Sequence, residues 1–452
     1  MGATIAGLAA LVPEGARANG RLPAAKELVI SPTDPSLFAI EATFGILVSR
    51  NAGASFGWVC EPALGYASTA VEDPSIGITP TTILAGIVQG VAVSADHGCT
   101  WRFNLTEPVS DVVVRRDDPH SALALSSRYL GLTDAGRNAF VTAVYATHDD
   151  GATWAQDGTP IQSDLVAETI DVAPSDPNRI YIGGGHTMVD DDGSLSGEGV
   201  VLASTNGGAS YTTTTIPLIA PYETQGAAYV SAVDPTDPQR VYVRIHDAFV
   251  DRLLVSDDGA ATFRTVYQAQ GTLPGFALSN DGSTLFLGDS AAGVLVAHPP
   301  TADSGAAFAF VKQSSTIVEC LAWSAGKLYA CTGLPLQLAV STDEGKTFAT
   351  EFSFGCVPGP LACPSDAGDA VCSAYLGELR ASVGTCTEAG ADGAAPAPTP
   401  DGSADGSGGD GGAGKPAPRS SSCGCSAGEA GAMGGLSALA LLSLLALRRR
   451  RA

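Results

Sequence analysis

The sequence predicts an all-β chain whose body is a seven-bladed β-propeller of four-stranded blades. Three observations point there. An eight-residue pattern recurs seven times, at spacings from 40 residues (Thr301 to Ser341) to 57 (Thr147 to Ser204). Short runs rich in β-branched and aromatic residues flank the copies. The composition, 54 glycines and 28 prolines in 452 residues with 45% hydrophobic and 16% charged, suits tight turns around a large core rather than long helices.

The pattern reads Ser or Thr, any residue, Asp or Asn, any, Gly, any, Thr or Ser, then an aromatic. Its copies begin at Ser49, Ser94, Thr147, Ser204, Ser256, Thr301 and Ser341, and their third residues are Asn51, Asp96, Asp149, Asn206, Asp258, Asp303 and Asp343. The fifth copy has Ala260 in place of Gly, and the sixth has Ala307 in place of Thr or Ser. The copies resemble the Asp-box, or bacterial neuraminidase repeat. The acidic or amide side chain accepts backbone N–H groups across a tight turn, Gly supplies a φ that other residues resist, and the aromatic inserts between sheets. These seven residues are therefore read as hairpin staples, not as catalytic groups or metal ligands.

Strands are legible around each copy. Second strands are expected over 37–42, 82–87, 122–126, 179–183, 240–245, 284–288 and 327–332. Third strands precede the boxes at 45–49, 90–94 and 199–204, and fourth strands follow at 100–105 and 262–267. Asp-Pro turns such as Pro174-Ser175-Asp176-Pro177 join first strands to second. A β-sandwich has no reason to repeat its turn chemistry seven times. The propeller is placed at 23–354.

Both ends read as processing signals. An apolar stretch, 3–12, is followed by Ala16-Arg17-Ala18, an A-x-A-like cleavage site, so 1–22 is expected to be a signal peptide. No Lys or Arg precedes Arg17, which suggests that residue 1 lies inside the true signal. At the other end 430–447 is apolar or small throughout, near the ~17-residue lower limit for a transmembrane helix. Arg448 to Arg451 follow it, as expected of a cytoplasmic end. Residues 387–422 are a Gly/Ala/Pro/Ser/Asp linker that has too little apolar content to bury a core.

Cys423-Gly424-Cys425, the apolar span and the arginine cluster occur in that order over 423–452. The trio resembles the myxobacterial C-terminal sorting signal. The resemblance implies that a membrane-bound sorting protease acts at Cys423 and Cys425, and that the exported protein is membrane-anchored or displayed at the cell surface after processing.

Topology locates the working face. Strands alternate direction, so the Asp-Pro turns and the boxes share one face, here called lower, and are uniformly short. Second-to-third loops and blade-to-blade connections emerge on the upper face. The long insertions fall there: 128–138 in blade three, 186–198 in blade four, and 217–226 between blades four and five. Loops on a rigid scaffold carry function. Candidate binding residues are Arg128, Tyr129, Arg137, His186, Tyr222, Glu223, His246 and Asp247. No cofactor is predicted. Asp190 and Asp192 offer hard oxygens of the kind calcium takes, but no EF-hand pattern surrounds them, and a solvated acidic loop is the plainer account.

The sialidase chemistry associated with these repeats needs three arginines, a Tyr–Glu pair and an acid Asp. Its Arg-Ile-Pro motif has only Gly20-Arg21-Leu22-Pro23 as a counterpart, at the export cleavage site, and Tyr222 and Glu223 are adjacent rather than on separate blades. A binding protein is favoured over an enzyme, with a glycan or protein partner at the cell surface. The alternative is a secreted, sialidase- or glucanase-like hydrolase. The formal charge of −23, made less negative by the terminal arginines, argues against nucleic acid.

Ten cysteines suit an oxidising compartment. Cys320 and Cys331 fall opposite each other across a hairpin turning at Ala325-Gly326 and are expected to be bonded. Cys356, Cys363, Cys372 and Cys386, within the Cys-rich segment 355–386, are expected to pair among themselves. Whether Cys60 and Cys99 pair is left open.

Overall fold

A computed structural model describes residues 23–66, 73–132, 138–189, 195–217, 227–247, 250–301, 306–333, 335–364, 371–384 and 386. It forms seven antiparallel sheets of four strands each, with strand order following chain order in every sheet. The blades span 25–59, 75–105, 111–163, 165–216, 228–268, 275–314 and 318–353. The ring closes where the first strand of blade one, Ala25–Ile30, lies beside that of blade seven, Val318–Ser324. No strand is shared between the two ends, so closure needs another device. The signal region, the linker, the apolar span, Cys423 and Cys425 lie outside the described residues. Among the described residues no helix is long and apolar enough to cross a membrane.

The lower-face turns show why the repeat is written as it is. In blade three Thr147 Oγ1 donates to Asp149 Oδ1 (2.8 Å) and accepts the Gly151 N–H (3.0 Å). Asp149 in turn accepts the Thr153 N–H (2.9 Å) and hydroxyl (2.7 Å). The same net recurs at Asp96, Asp258 and Asp343. At Asn51 and Asn206 the amide nitrogen donates to the serine instead. Asp303 lies outside the described residues. Bonds from the Thr347 N–H, the Thr347 hydroxyl and Ser341 hold the Asp343 carboxyl down at about 2. Two consecutive residues turn left-handed, not one: Asp150 has φ 57° and Gly151 82°. Ala260 takes φ 69° in the fifth copy and still donates to Ser256, so the net survives the loss of glycine.

The box aromatics lie between sheets. Seven apolar clusters, one per blade-to-blade junction, each hold one of them: Phe56, Trp101, Trp154, Tyr211, Phe263, Phe308 or Phe348. Trp154 also fastens its own turn by donating Nε1–H to the Gly151 carbonyl (3.1 Å). One repeat thus builds both a turn and a blade interface.

The cysteines correct one expectation. Cys320–Cys331 is bonded as expected. Cys356, Cys363, Cys372 and Cys386 do not pair among themselves: only Cys356–Cys386 closes locally, while Cys372 bonds Cys60 and Cys363 bonds Cys99. The segment after blade seven does not form an independent knob. It crosses the seam onto blade one, where the Trp58 N–H donates to the Gly359 carbonyl (3.1 Å) and the Leu361 N–H to the Trp58 carbonyl (2.9 Å). Arg50 ties it further, reaching the carbonyls of Ala362, Asp96 and His97. Four residues that looked like one staple make a two-bolt clasp over the open end of the ring.

Candidate functional site

The first strands start, and the second strands end, on the upper face. There the channel opens into a cavity of about 810 Å³ to which all seven blades contribute. Its wall divides by chemistry. Blades one to four supply Glu27, Glu41, Asp73, Asp111 and Glu168, whereas blades five and six supply Leu253, Leu273, Pro274, Phe276 and Leu287. Lys26 and Glu319 complete it at the seam, 3.3 Å apart.

Several of these acids fasten blade to blade. First strands have no backbone ladder toward the next blade, so side chains take the neighbouring N–H groups. Asp111 accepts from Ser75 Oγ (2.7 Å) in blade two and from the Ile170 N–H (2.8 Å) in blade four. Thr169 accepts the Val230 N–H (2.8 Å), and Asp171 the Val233 N–H (3.0 Å), both from blade five. Glu27 accepts from Ile76 in blade two.

Crowding and burial raise the acids together. Burial and then Asp111 push Glu27 up to about 8. Its cross-strand partner Glu41 rises well above the usual range through burial, then Glu27 and Asp73. Burial lifts Asp111 to about 6 despite its hydrogen bonds, and burial and Asp111 raise Glu168. Among the described residues only two cations line the wall, and both are engaged. Lys26 pairs with Glu319. Arg244 lies 3.2 Å from Asp251 and 4.5 Å above the Tyr229 ring.

The candidate residues from the sequence that are described lie around the rim, not in the cavity. The stretch 128–138 is largely a continuation of strands: blade three's hairpin runs on through Ala122–Leu132 and Asn138–Thr147. Arg128 and Tyr129 sit on it, Arg128 3.7 Å from Glu107 and Tyr129 with its ring 5.4 Å from Phe140. Tyr129, Leu130 and Leu132 are exposed. Blade four extends likewise, through Ile180–Val189 and Leu195–Ser204, with His186 Nδ1 2.8 Å from Asp164. His246 Nδ1 lies 2.6 Å from Asp251, whose carboxylate is wholly buried and also takes the Leu273 N–H at 2.7 Å. Burial works against that charge, but His246 and then Arg244 hold Asp251 below its ordinary value. Asp247 ends the strand Val241–Asp247. Arg137, Asp190, Asp192, Tyr222 and Glu223 lie outside the described residues, and among the described residues no cluster of His, Cys, Asp or Glu has the geometry to hold a metal.

No protein-family model matches the chain, and no curated protein matches it by sequence. Among solved structures it is similar to Kuenenia stuttgartiensis hydrazine synthase (12% identity, TM-score 0.47, 73% of this chain and 98% of that one). It is also similar to Saccharomyces cerevisiae Sqt1 (10%, 0.43, 77% and 91%) and to a functionally unknown protein from Desulfotomaculum acetoxidans (15%, 0.39, 72% and 96%). The architecture stands on strand order and register rather than on these likenesses.

Proposed function

We propose that this is an exported Asp-box propeller, sorted to the cell surface, that binds a glycan or protein partner through its upper face. One observation carries the reading: a single cavity at the upper mouth receives side chains from all seven blades. The long hairpins of blades three and four rise on the same face, while six described lower turns carry one structural net. Four disulfides support passage through an oxidising compartment. The mouth holds more carboxyls than cations, so an anionic sugar is the ligand it suits least. A second reading, a glycan-active hydrolase, draws on Glu27 and Glu41, facing each other across two strands with raised pKa values.

The test is to shorten 128–138, 186–198 and 217–226 to tight turns, then measure cell-surface and glycan-array binding. Folding should survive, since the hairpins of blades three and four keep their pairing below the trimmed tips, and binding should disappear. Undiminished binding overturns the upper-face reading. Hydrolysis of chromogenic glycosides, lost in Glu41→Gln, would select the hydrolase instead.

A further inference from the structure

We infer that the upper mouth is a binding site for a small organic polycation, a ligand with two or more ammonium groups on an aliphatic chain. The inference rests on the upper-face reading and adds the ligand's chemistry to it. Glu27, Asp111 and Asp171 are engaged by backbone N–H groups of neighbouring blades. Glu319 has Lys26, and Asp251 has Arg244 and His246. Asp73 also lines the cavity and has an interaction of its own. Glu41 and Glu168 are left: both line the cavity, and among the described residues neither accepts a hydrogen bond. Both are only partly exposed, a carboxyl so placed without a donor is costly to keep charged, and an incoming ammonium group would relieve both.

The opposite wall decides what carries the ammonium. Pro274 and Phe276, both partly exposed, offer an apolar surface suited to methylene groups, with Leu253, Leu273 and Leu287 buried behind them. A bare metal ion has no use for that wall, and no metal-holding cluster is present among the described residues. A neutral sugar leaves the carboxyls as they were. The Arg244 guanidinium over the Tyr229 ring already places one organic cation on this wall. The volume, about 810 Å³, also falls within the range of small-molecule sites, roughly 300–1,000 Å³.

Proton linkage makes the claim measurable. Around Glu41 stand Glu27, Asp73, Asp111 and Lys26; around Glu168 stand Asp111 and Tyr229. All the raised carboxyls favour the neutral form, so a cation that binds their ionised form expels protons to solvent. Affinity therefore rises with pH through the value near 8 that Glu27 reaches.

The probe is spermidine, titrated calorimetrically into the intact oxidised protein in two buffers of different ionisation enthalpy. Binding should release protons and tighten by about tenfold for each carboxyl whose one-unit shift is reversed. Glu41→Gln and Glu168→Gln should each weaken it by about tenfold or more, the factor for one pKa unit, with melting temperature retained. Spermidine binding that both variants leave unchanged, or no binding at all, overturns the inference. So does calcium or a trilysine peptide binding more tightly than spermidine and losing affinity in the same variants. The upper-face reading is judged separately: should loop trimming abolish surface binding while spermidine has no effect, that reading stands and the polycation alone fails.

Discussion

The clasp over the ring seam should be the largest single covalent contribution to stability. The perturbation is to replace Cys60, Cys99, Cys363 and Cys372 with alanine and compare the result with Cys320→Ala/Cys331→Ala. Cys99–Cys363 joins residues 264 apart, for which chain entropy predicts about 6 kcal/mol. With that bond in place, Cys60–Cys372 closes only the shorter path through 60–99 and 363–372, adding about 4 kcal/mol. Cys320–Cys331 spans 11 residues and is worth about 3 kcal/mol. Packing and sulfur-accepted bonds are alike for Cys60–Cys372 and Cys320–Cys331. Cys60, Cys372, Cys320 and Cys331 are all buried, and one sulfur of each pair accepts a backbone N–H at 3.1 Å. Equilibrium denaturation in urea measures the comparison, and hydrogen exchange locates the opening, expected at Ala25–Ile30 and Val318–Ser324. A four-alanine protein as stable as the Cys320/Cys331 variant would refute the clasp.

Further outcomes are expected. Gly151→Val meets a left-handed φ of 82° and a Cβ 2.6 Å from Leu84 Cδ2, costing about 3 kcal/mol in urea melts. Gly326→Ala, at φ 76° with open space around it, should cost only about 1 kcal/mol, and equal losses would undo the view of the box as an interface staple. Asp149→Asn should cost less than half of Asp149→Ala, because Asn51 and Asn206 already keep the same turn. The mature form recovered from the cell surface should end near Cys423 by mass spectrometry, and finding Arg451 there would contradict processing. Stability should fall as pH rises. The raised carboxyls of Glu27 and Glu41 favour folding fully below their ordinary 4.5, and that contribution is lost as pH climbs through about 8 for Glu27. At the acid end the depressed Asp343 contributes above its ordinary 3.8 and loses that contribution as pH falls through about 2. A melting temperature flat between pH 5 and 9 would argue against the crowded mouth.

What the sequence discloses about this fold is what local chemistry repeats. Third strands expected at 45–49 and 90–94 are found as Gly45–Ser49 and Gly90–Ser94, and the second strand at 327–332 as Lys327–Thr332. Each ends at a box or a turn whose bonds span only a few residues. The fourth strand expected at 100–105 begins instead at Arg102, because the Thr100 N–H is already given to Asp96 within the turn. The insertions at 128 and 186 read as loops because they interrupt the repeat spacing. Tyr129 pairs with Phe140, and His186 with Glu198, so both are hairpins continued upward.

What long-range geometry decides was hidden. Cys363 and Cys372 stand close to Cys356 and Cys386 in the chain, and spacing alone favours local pairing. The competing signal was an architectural one: a propeller with no shared strand has an unsealed seam, and the segment after its last blade lies where it can seal it. The mouth was hidden for a related reason. Glu27, Asp111, Glu168 and Glu319 are separate residues in four blades, and a lone acid in a strand reads as a solvated face. Their common address is the first strand, which the ring turns toward its axis. Rim residues such as Arg128 and His186 stood out because they lie in insertions, but an insertion marks where the surface departs from the repeat. A ring gathers its function where repeats converge. Aligning first strands on their boxes would have exposed the acids: Glu27 and Glu319 stand the same distance ahead of Ser49 and Ser341. In a propeller, a charged residue at matching first-strand positions of several blades is the sequence signal for a channel site, and it precedes any reading of the loops.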